Sequence, residues 1–465
     1  MKEESAKRAN QNDSDQYCEF PLHKKIKKEH HNYENLSKDF VMSKATYTQQ
    51  FCEIYSARIK AMKSLLMKTV KKLIEDGSSS NSCKVKYEGK NVDEVEVDTK
   101  KEKEYKLLQY LKEIKTNESC YCIGTLFKKM ELRPSILNEY ISEINESDDI
   151  VINYSHDEDI LFLEDETARL KLEGKINSDY YVTGLTVIIK GTGMSNGSLY
   201  VDELIYSYIP KLEIPKCITN DDKYIMFVSG LYISENNENN ENGNKASLLK
   251  DFILGLYGDK HLSENIIRLI IIGNSLRNVD NDEKDMNTID LFLASLCSSV
   301  YVDIMPGEKD PSDAILPQQP FPNLFFKTAK NYNSFQCVTN PYIFSVNNVN
   351  ICCMSGEPVN NIVSYSKNSK LDALKIIAQS RILSPTSPDT LGCYPFIQND
   401  PFCLQNDDKY PHIFVSGNST QLEVQYMNEE KKLPMLVCLP SFDHSPKALL
   451  VNIKNMEHTT LSFDI

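Results

Sequence analysis

The residues that could do chemistry in this chain stand at five short turns in its second half. Each follows an apolar run and carries glycine or another small residue: Gly230-Leu231-Tyr232, Gly273-Asn274, Gly307-Glu308-Lys309-Asp310, the stretch at Ser355, and Gly417-Asn418-Ser419-Thr420. Open α/β sheets hold ligands where strand ends open onto such turns, so five of them predict one converging site. The side chains on offer are two carboxylates, Glu308 and Asp310, the Lys309 ammonium, amides and hydroxyls. Attack on phosphorus assisted by two metal ions needs a bridging carboxylate and several imidazole or oxygen ligands. None of the eight histidines falls on a turn, and His412 sits on the run before the last one. The expectation is a site with no metal, no cofactor and no catalysis. The alternative is an unusual hydrolytic site built on Asp303, Asp310 or Asn274.

Strands must hold those turns. Apolar runs beginning at Tyr224, Ile270, Val300, Asn350 and His412 alternate with helical stretches, the pattern of an α/β sandwich over 217–465. An Asn-rich run at 235–247 interrupts the first unit and reads as a disordered loop. Upstream, 104–216 opens with a short helix around Glu104 to Ile114. Strands then start at Cys120, Asp159, Ala168, Tyr181 and Ser198, with a helix over Pro134 to Ile144. Short strands parted by Gly or Asn turns predict a small closed barrel of OB type. Its strands carry few aromatic and basic pairs, which favours a protein-binding or structural barrel over one for single strands.

Before the barrel, Phe51, Ile54, Tyr55, Met62, Leu65, Leu66, Thr69, Val70 and Leu73 recur at three- and four-residue spacings. They predict an amphipathic helix over 46–76, stopped at Gly77 and followed by a flexible linker over 77–103. Residues 1–45 read as a disordered leader whose basic cluster, His23 to Lys28, is either a nuclear import signal or a solvated tail.

Composition narrows the function. At 465 residues the chain is long enough for two or three cores, and no apolar run approaches the ~20 residues of a membrane-spanning helix. A net charge of -14 opposes the phosphate backbone, so contact with DNA is expected to be indirect. Met1 to Asn10 lacks the apolar stretch of a secretory signal, which points to a reducing compartment. The thirteen cysteines include no CxxC spacing and read as buried thiols.

The order and spacing of the five turns resemble the calcineurin-type metallophosphoesterase fold, whose strand ends carry DxH, GD, GNH[DE], a lone His and GHxH. In the matching places stand Gly230 to Tyr232, Gly273-Asn274, Gly307 to Asp310, Ser355, and Gly417 to Thr420. The glycines are kept and the ligands are not. Lys309 puts an ammonium where an imidazole would coordinate. A barrel paired with such an inactivated domain is similar to the B-subunits of replicative DNA polymerases of the alpha, delta and epsilon types. The delta type fits best, through Gly124 to Met130, Leu163 to Glu166, Met305 to Pro311, Leu316 to Pro320, Val338 to Tyr342 and Ser384 to Phe396.

The resemblance implies an α+β chain with an N-terminal helix, an OB-fold barrel and a two-sheet α/β sandwich that is catalytically inactive. It implies a non-catalytic accessory subunit of the DNA polymerase delta complex in the nucleus, acting in replication and repair. Such a subunit joins the cysteine-rich C-terminal domain of the catalytic subunit to a third accessory subunit. It reaches the sliding clamp and DNA only through the holoenzyme, and no membrane. The competing readings are a B-subunit of the epsilon or alpha type and an active metallophosphoesterase. The proline-rich loops around Leu316, Phe321 and Phe325 and around Tyr394, Phe396 and Phe402 are expected either to bury apolar surface against a partner or to cover their own core.

Overall fold

A computed structural model describes residues 31–42, 53–79, 105–133, 153–215, 221–233, 241–276 and 283–464. In chain order the strands are β1 (Tyr33–Asn35), β2 (Lys106–Leu107), β3 (Ser119–Lys129), β4 (Ile160–Glu164), β5 (Arg169–Gly174), β6 (Thr186–Gly193) and β7 (Leu199–Ile205). There follow β8 (Tyr224–Ser229), β9 (Ile266–Ile272), β10 (Tyr301–Met305), β11 (Phe335–Cys337), β12 (Tyr342–Val346) and β13 (Val349–Met354). The last are β14 (Ile413–Ser419), β15 (Glu423–Tyr426), β16 (Met435–Pro440), β17 (Lys447–Asn452) and β18 (His458–Ser462). The helices are α1 (Glu53–Ser79), α2 (Glu241–Ile253), α3 (Lys260–Glu264), α4 (Glu283–Cys297), α5 (Glu357–Ser364) and α6 (Lys370–Ser380).

Strands β2 to β7 form one sheet in the order β2-β3-β4-β5-β7-β6, and β6 pairs back onto β3, which closes the barrel. Alternation along β3 sends Cys120, Cys122 and Leu126 to one side and Tyr121 and Ile123 to the other. The second pair packs against Met62, Leu65, Leu66 and Val70 of α1. Both faces of β3 are covered, which is why it reads as an unbroken apolar run.

The sandwich stacks two six-stranded sheets, β1-β12-β13-β14-β16-β15 and β11-β10-β9-β8-β17-β18. In β9, Ile270 and Ile272 join the core between the sheets, while Leu269 and Ile271 join α2 and α4 on the outer face. Strands β8, β9 and β10 are parallel to one another, as are β13 and β14, so their carboxyl ends reach one rim.

Two buried cations fasten the barrel to the sandwich. Arg58 of α1 pairs with Asp400 at 2.7 Å, both fully buried, and donates to the carbonyls of Pro385 (2.7 Å), Ser387 (2.8 Å) and Gly184 (3.3 Å). Lys128 of β3 pairs with Asp159 at 3.2 Å and donates to the Tyr365 carbonyl just beyond α5 (3.0 Å).

Four local expectations are corrected. Within the supposed disordered leader, β1 pairs with β12, and Phe40 and Ser37 are buried; the driving contacts are distant in sequence. Helix α1 runs through Gly77 to Ser79, since one glycine costs only about 1 kcal/mol in a helix that is packed elsewhere. Residues 241–247 of the supposed disordered loop are helical, carried by Leu249, Phe252 and Ile253 of the same helix packing on the sheet. In place of a helix at 104–114 stand the two-residue β2 and a 3-10 turn at Leu111–Glu113. The basic cluster at 23–28, Phe51, the linker beyond 79 and the helix expected over Pro134 to Ile144 lie outside the described residues.

Candidate functional site

The five turns meet at the shared rim. The Gly230 N–H donates to the Gly273 carbonyl at 3.0 Å, and Asn418 N–H donates to Ser229 Oγ at 2.8 Å, joining one sheet to the other. Gly273 and Gly307 pack backbone to backbone: a Cβ on Gly273 would lie 2.7 Å from Gly307 Cα and 2.6 Å from Ser355 Cβ. Gly230, Tyr232, Asn274 and Asn418 all have positive φ, which Gly and Asn tolerate and Tyr rarely adopts.

Most polar side-chain atoms here are taken up by the fold, while Asn418 Oδ1 and Ser419 Oγ are buried without a hydrogen-bond partner among the described residues. Asn274 Oδ1 accepts the Lys309 N–H at 2.9 Å, while the Lys309 side chain, like that of Glu308, is exposed. Asp310 Oδ1 accepts from Leu276 N–H at 2.7 Å and Oδ2 from Gly307 N–H at 2.9 Å. Burial pushes the Asp310 carboxyl up to about 7, against backbone N–H groups that favour its ionised form. Asn418 Nδ2 donates to the Ser355 carbonyl at 2.7 Å. Asn340 Nδ2 bonds Ser355 Oγ and Gln318 Oε1, each at 2.8 Å, and Ser355 Oγ donates to Glu357. Burial raises the Glu357 pKa, while Ser355 and Asn340 lower it. Beside this network lies a cleft of about 240 Å³ lined by Glu308, Gln318, Glu357 and Leu316 among others.

Of the remaining candidates, Asp303 and His412 are engaged elsewhere. Asp303 is fully buried; it pairs with Arg268 and accepts from Tyr342 Oη at 2.9 Å and Gln336 Nε2 at 2.8 Å. His412 lies at the opposite end of β14, where Nδ1 accepts the Asn350 N–H at 3.0 Å and burial lowers its pKa. Thr420 follows the end of β14, exposed and bonded to nothing described. Among the described residues no group of three or more His, Cys, Asp or Glu is placed to share a metal ion. Sequence reasoning gave no site role to Gln318, Asn340 and Glu357, which lie outside the five turns, although Gln318 and Asn340 stand in the Leu316 to Pro320 and Val338 to Tyr342 runs.

Comparison with known proteins bears on this arrangement. The family model described as DNA polymerase delta subunit OB-fold domain matches residues 50–204, and that of the DNA polymerase alpha/epsilon B-subunit matches 225–424. The DNA polymerase delta small subunit of Arabidopsis thaliana is 33% identical over 455 residues, covering 93% of this chain and 95% of that one. The chain belongs to the DNA polymerase delta small-subunit family. The family's small subunit from Oryza sativa subsp. japonica is 34% identical over 75% of this chain and 85% of its own. That of Saccharomyces cerevisiae is 30% identical over 93% and 94%. As a small subunit of this family, the chain is a non-catalytic accessory subunit of DNA polymerase delta.

The aromatic and aliphatic residues of the proline-rich loops, expected either to face a partner or to cover their own core, lie mostly against that core. Leu316, Phe321 and Phe402 are buried, Tyr394 is 8% exposed, and Phe325 and Phe396 are half-buried. Phe321 meets Phe326 edge-on at 6.1 Å, and Phe402 packs between Phe40 (6.3 Å) and Phe396 (6.1 Å). The loops fold their aromatic rings inward over their own core. The apolar side chains they leave outside are Leu324, 82% exposed, and Ile397, 39% exposed.

Proposed function

We propose that this chain bridges the cysteine-rich C-terminal domain of the polymerase delta catalytic subunit and a third accessory subunit, and that its rim binds no metal and hydrolyses nothing. The observation that carries this reading is the rim itself. Its glycine turns are kept while Asn274, Asp310, Asn340, Ser355 and the Asn418 amide nitrogen bond to one another and to backbone. What remains is a rigid scaffold. Its net charge of -14 supports contact with DNA through the holoenzyme and its sliding clamp. The basic run at 23–28 supports nuclear import. Exposed Leu324, Leu291, Tyr257 and Leu256 supply apolar surface of the kind subunit interfaces bury.

Copurification with the catalytic C-terminal domain tests the reading. The complex should survive salt on the order of 0.5 M, where exposed charges are screened, because affinity in a permanent interface resides in desolvated apolar anchors. Leu324→Asp with Ile397→Asp should weaken it more than neutralising surface Glu residues. Dissociation by salt alone, with those variants binding normally, would refute the apolar interface. Selective capture of an epsilon-type or alpha-type catalytic subunit instead would refute the choice of partner.

A further inference from the structure

A cleft of about 370 Å³ opens where α1, the barrel and the loop at Asp389 meet. Half-buried Tyr55 and Ile59 of α1 and Phe127 of β3 supply its apolar lining. Its polar lining is unbalanced in charge, with four carboxylates, Glu164, Asp165, Glu166 and Asp389, facing the single cation Arg169. Arg169 lies over the Phe127 ring at 4.6 Å and pairs with Glu164. Asp165 is spent on the N–H groups of Leu111, Thr167 and Ala168. Asp389 pairs with Arg133 at 3.0 Å, and Glu166 is exposed with no ion pair among the described residues. The apolar floor is therefore set in a negative field.

We propose that this cleft seats a basic segment of a partner protein, with an aliphatic or aromatic side chain against Ile59, Tyr55 and Phe127 and a Lys or Arg facing Glu166. Charge complementarity selects the occupant. A single-stranded nucleic acid would find Phe127 to stack on, but its phosphates would meet the same carboxylates. The proposal rests on the reading that this chain is a subunit of an assembly, and it assigns that reading a surface on the barrel side.

The test uses the full chain and three fluorescein-labelled probes: a short peptide alternating Leu and Arg, the same peptide with Glu in place of Arg, and oligothymidylate. The Arg peptide should bind about tenfold more tightly than the Glu peptide. Ser56→Trp, which fills the cleft from an exposed helical position, and Glu166→Lys, which reverses an exposed charge, should each weaken it by about tenfold with the circular dichroism spectrum unchanged. Equal binding of both peptides, displacement of the Arg peptide by oligothymidylate, or variants that bind as wild type would overturn the proposal. Copurification of wild type with the catalytic C-terminal domain separates the two readings. Its failure alongside retained peptide selectivity refutes the bridging reading and supports the cleft, while the reverse result overturns the cleft alone.

Discussion

Replacing Arg58 by Ala should come close to unfolding the chain. The guanidinium is fully buried, pairs with the equally buried Asp400 at 2.7 Å, and serves the Pro385 and Ser387 carbonyls at 2.7 and 2.8 Å. Removing one member of a buried pair costs about 3–5 kcal/mol, because the other charge is left uncompensated. Each carbonyl left without a donor adds about 1–3 kcal/mol. Even the low ends together give about 5 kcal/mol, comparable to the whole stability of many domains, about 5–15 kcal/mol. Lys at 58 keeps the charge but loses the planar fork that reaches several carbonyls, so it should fall between Ala and wild type. Arg58→Met combined with Asp400→Leu removes both charges and should be more stable than Arg58→Ala alone. Urea unfolding followed by circular dichroism and tyrosine fluorescence, in a chain without Trp, measures all four. A loss under about 1 kcal/mol for Arg58→Ala, or a double variant no better than the single one, would refute the reasoning.

A chain starting at residue 43 should be less stable than one starting at residue 31 by about 3–5 kcal/mol, since it loses buried Phe40 as well as β1; equal melting temperatures would contradict this. Asp310 holds its proton up to about pH 7 when folded and releases it near pH 4 when unfolded, so its contribution is full below pH 4 and lost as pH rises through 7. Asp310→Asn should flatten the fall in stability between pH 5 and pH 7.5, and an unchanged slope in urea titrations would assign it to other groups. Metal analysis of the chain incubated with manganese or zinc should give substoichiometric content and no hydrolysis of a chromogenic phosphodiester; stoichiometric metal with turnover abolished by Asp310→Ala would reverse the conclusion about the rim.

The parts of the fold legible in the sequence are those held by local pattern. The apolar run of β9, broken by Arg268, the five small-residue turns and the period of α1 each follow from a face, or two faces, being covered. Arg58 was within reach too, because it stands four residues after Ile54 and four before Met62 on the buried stripe. What stayed hidden depends on contacts distant in sequence. Three residues of β1 have no period to detect, and their place is fixed by pairing with β12 and by Tyr33 Oη bonding Tyr342 Oη at 2.8 Å. The aromatic residues of the proline-rich loops look alike in sequence whether they point out or in, and only the fold turns Phe402 onto Phe40. The Asn340–Ser355–Glu357 network likewise joins residues from separate segments and leaves no spacing to read.

The two buried cations at the seam make the molecule a bracket with no hinge. With Arg58 bonded to loop carbonyls on the far side of the joint and Lys128 to the end of α5, any rocking of barrel against sandwich would strand charge away from water. Proteins bound to the two halves would then be kept at a constant angle and separation. The polymerase would receive a fixed span from this subunit, set by side chains that touch none of its other components.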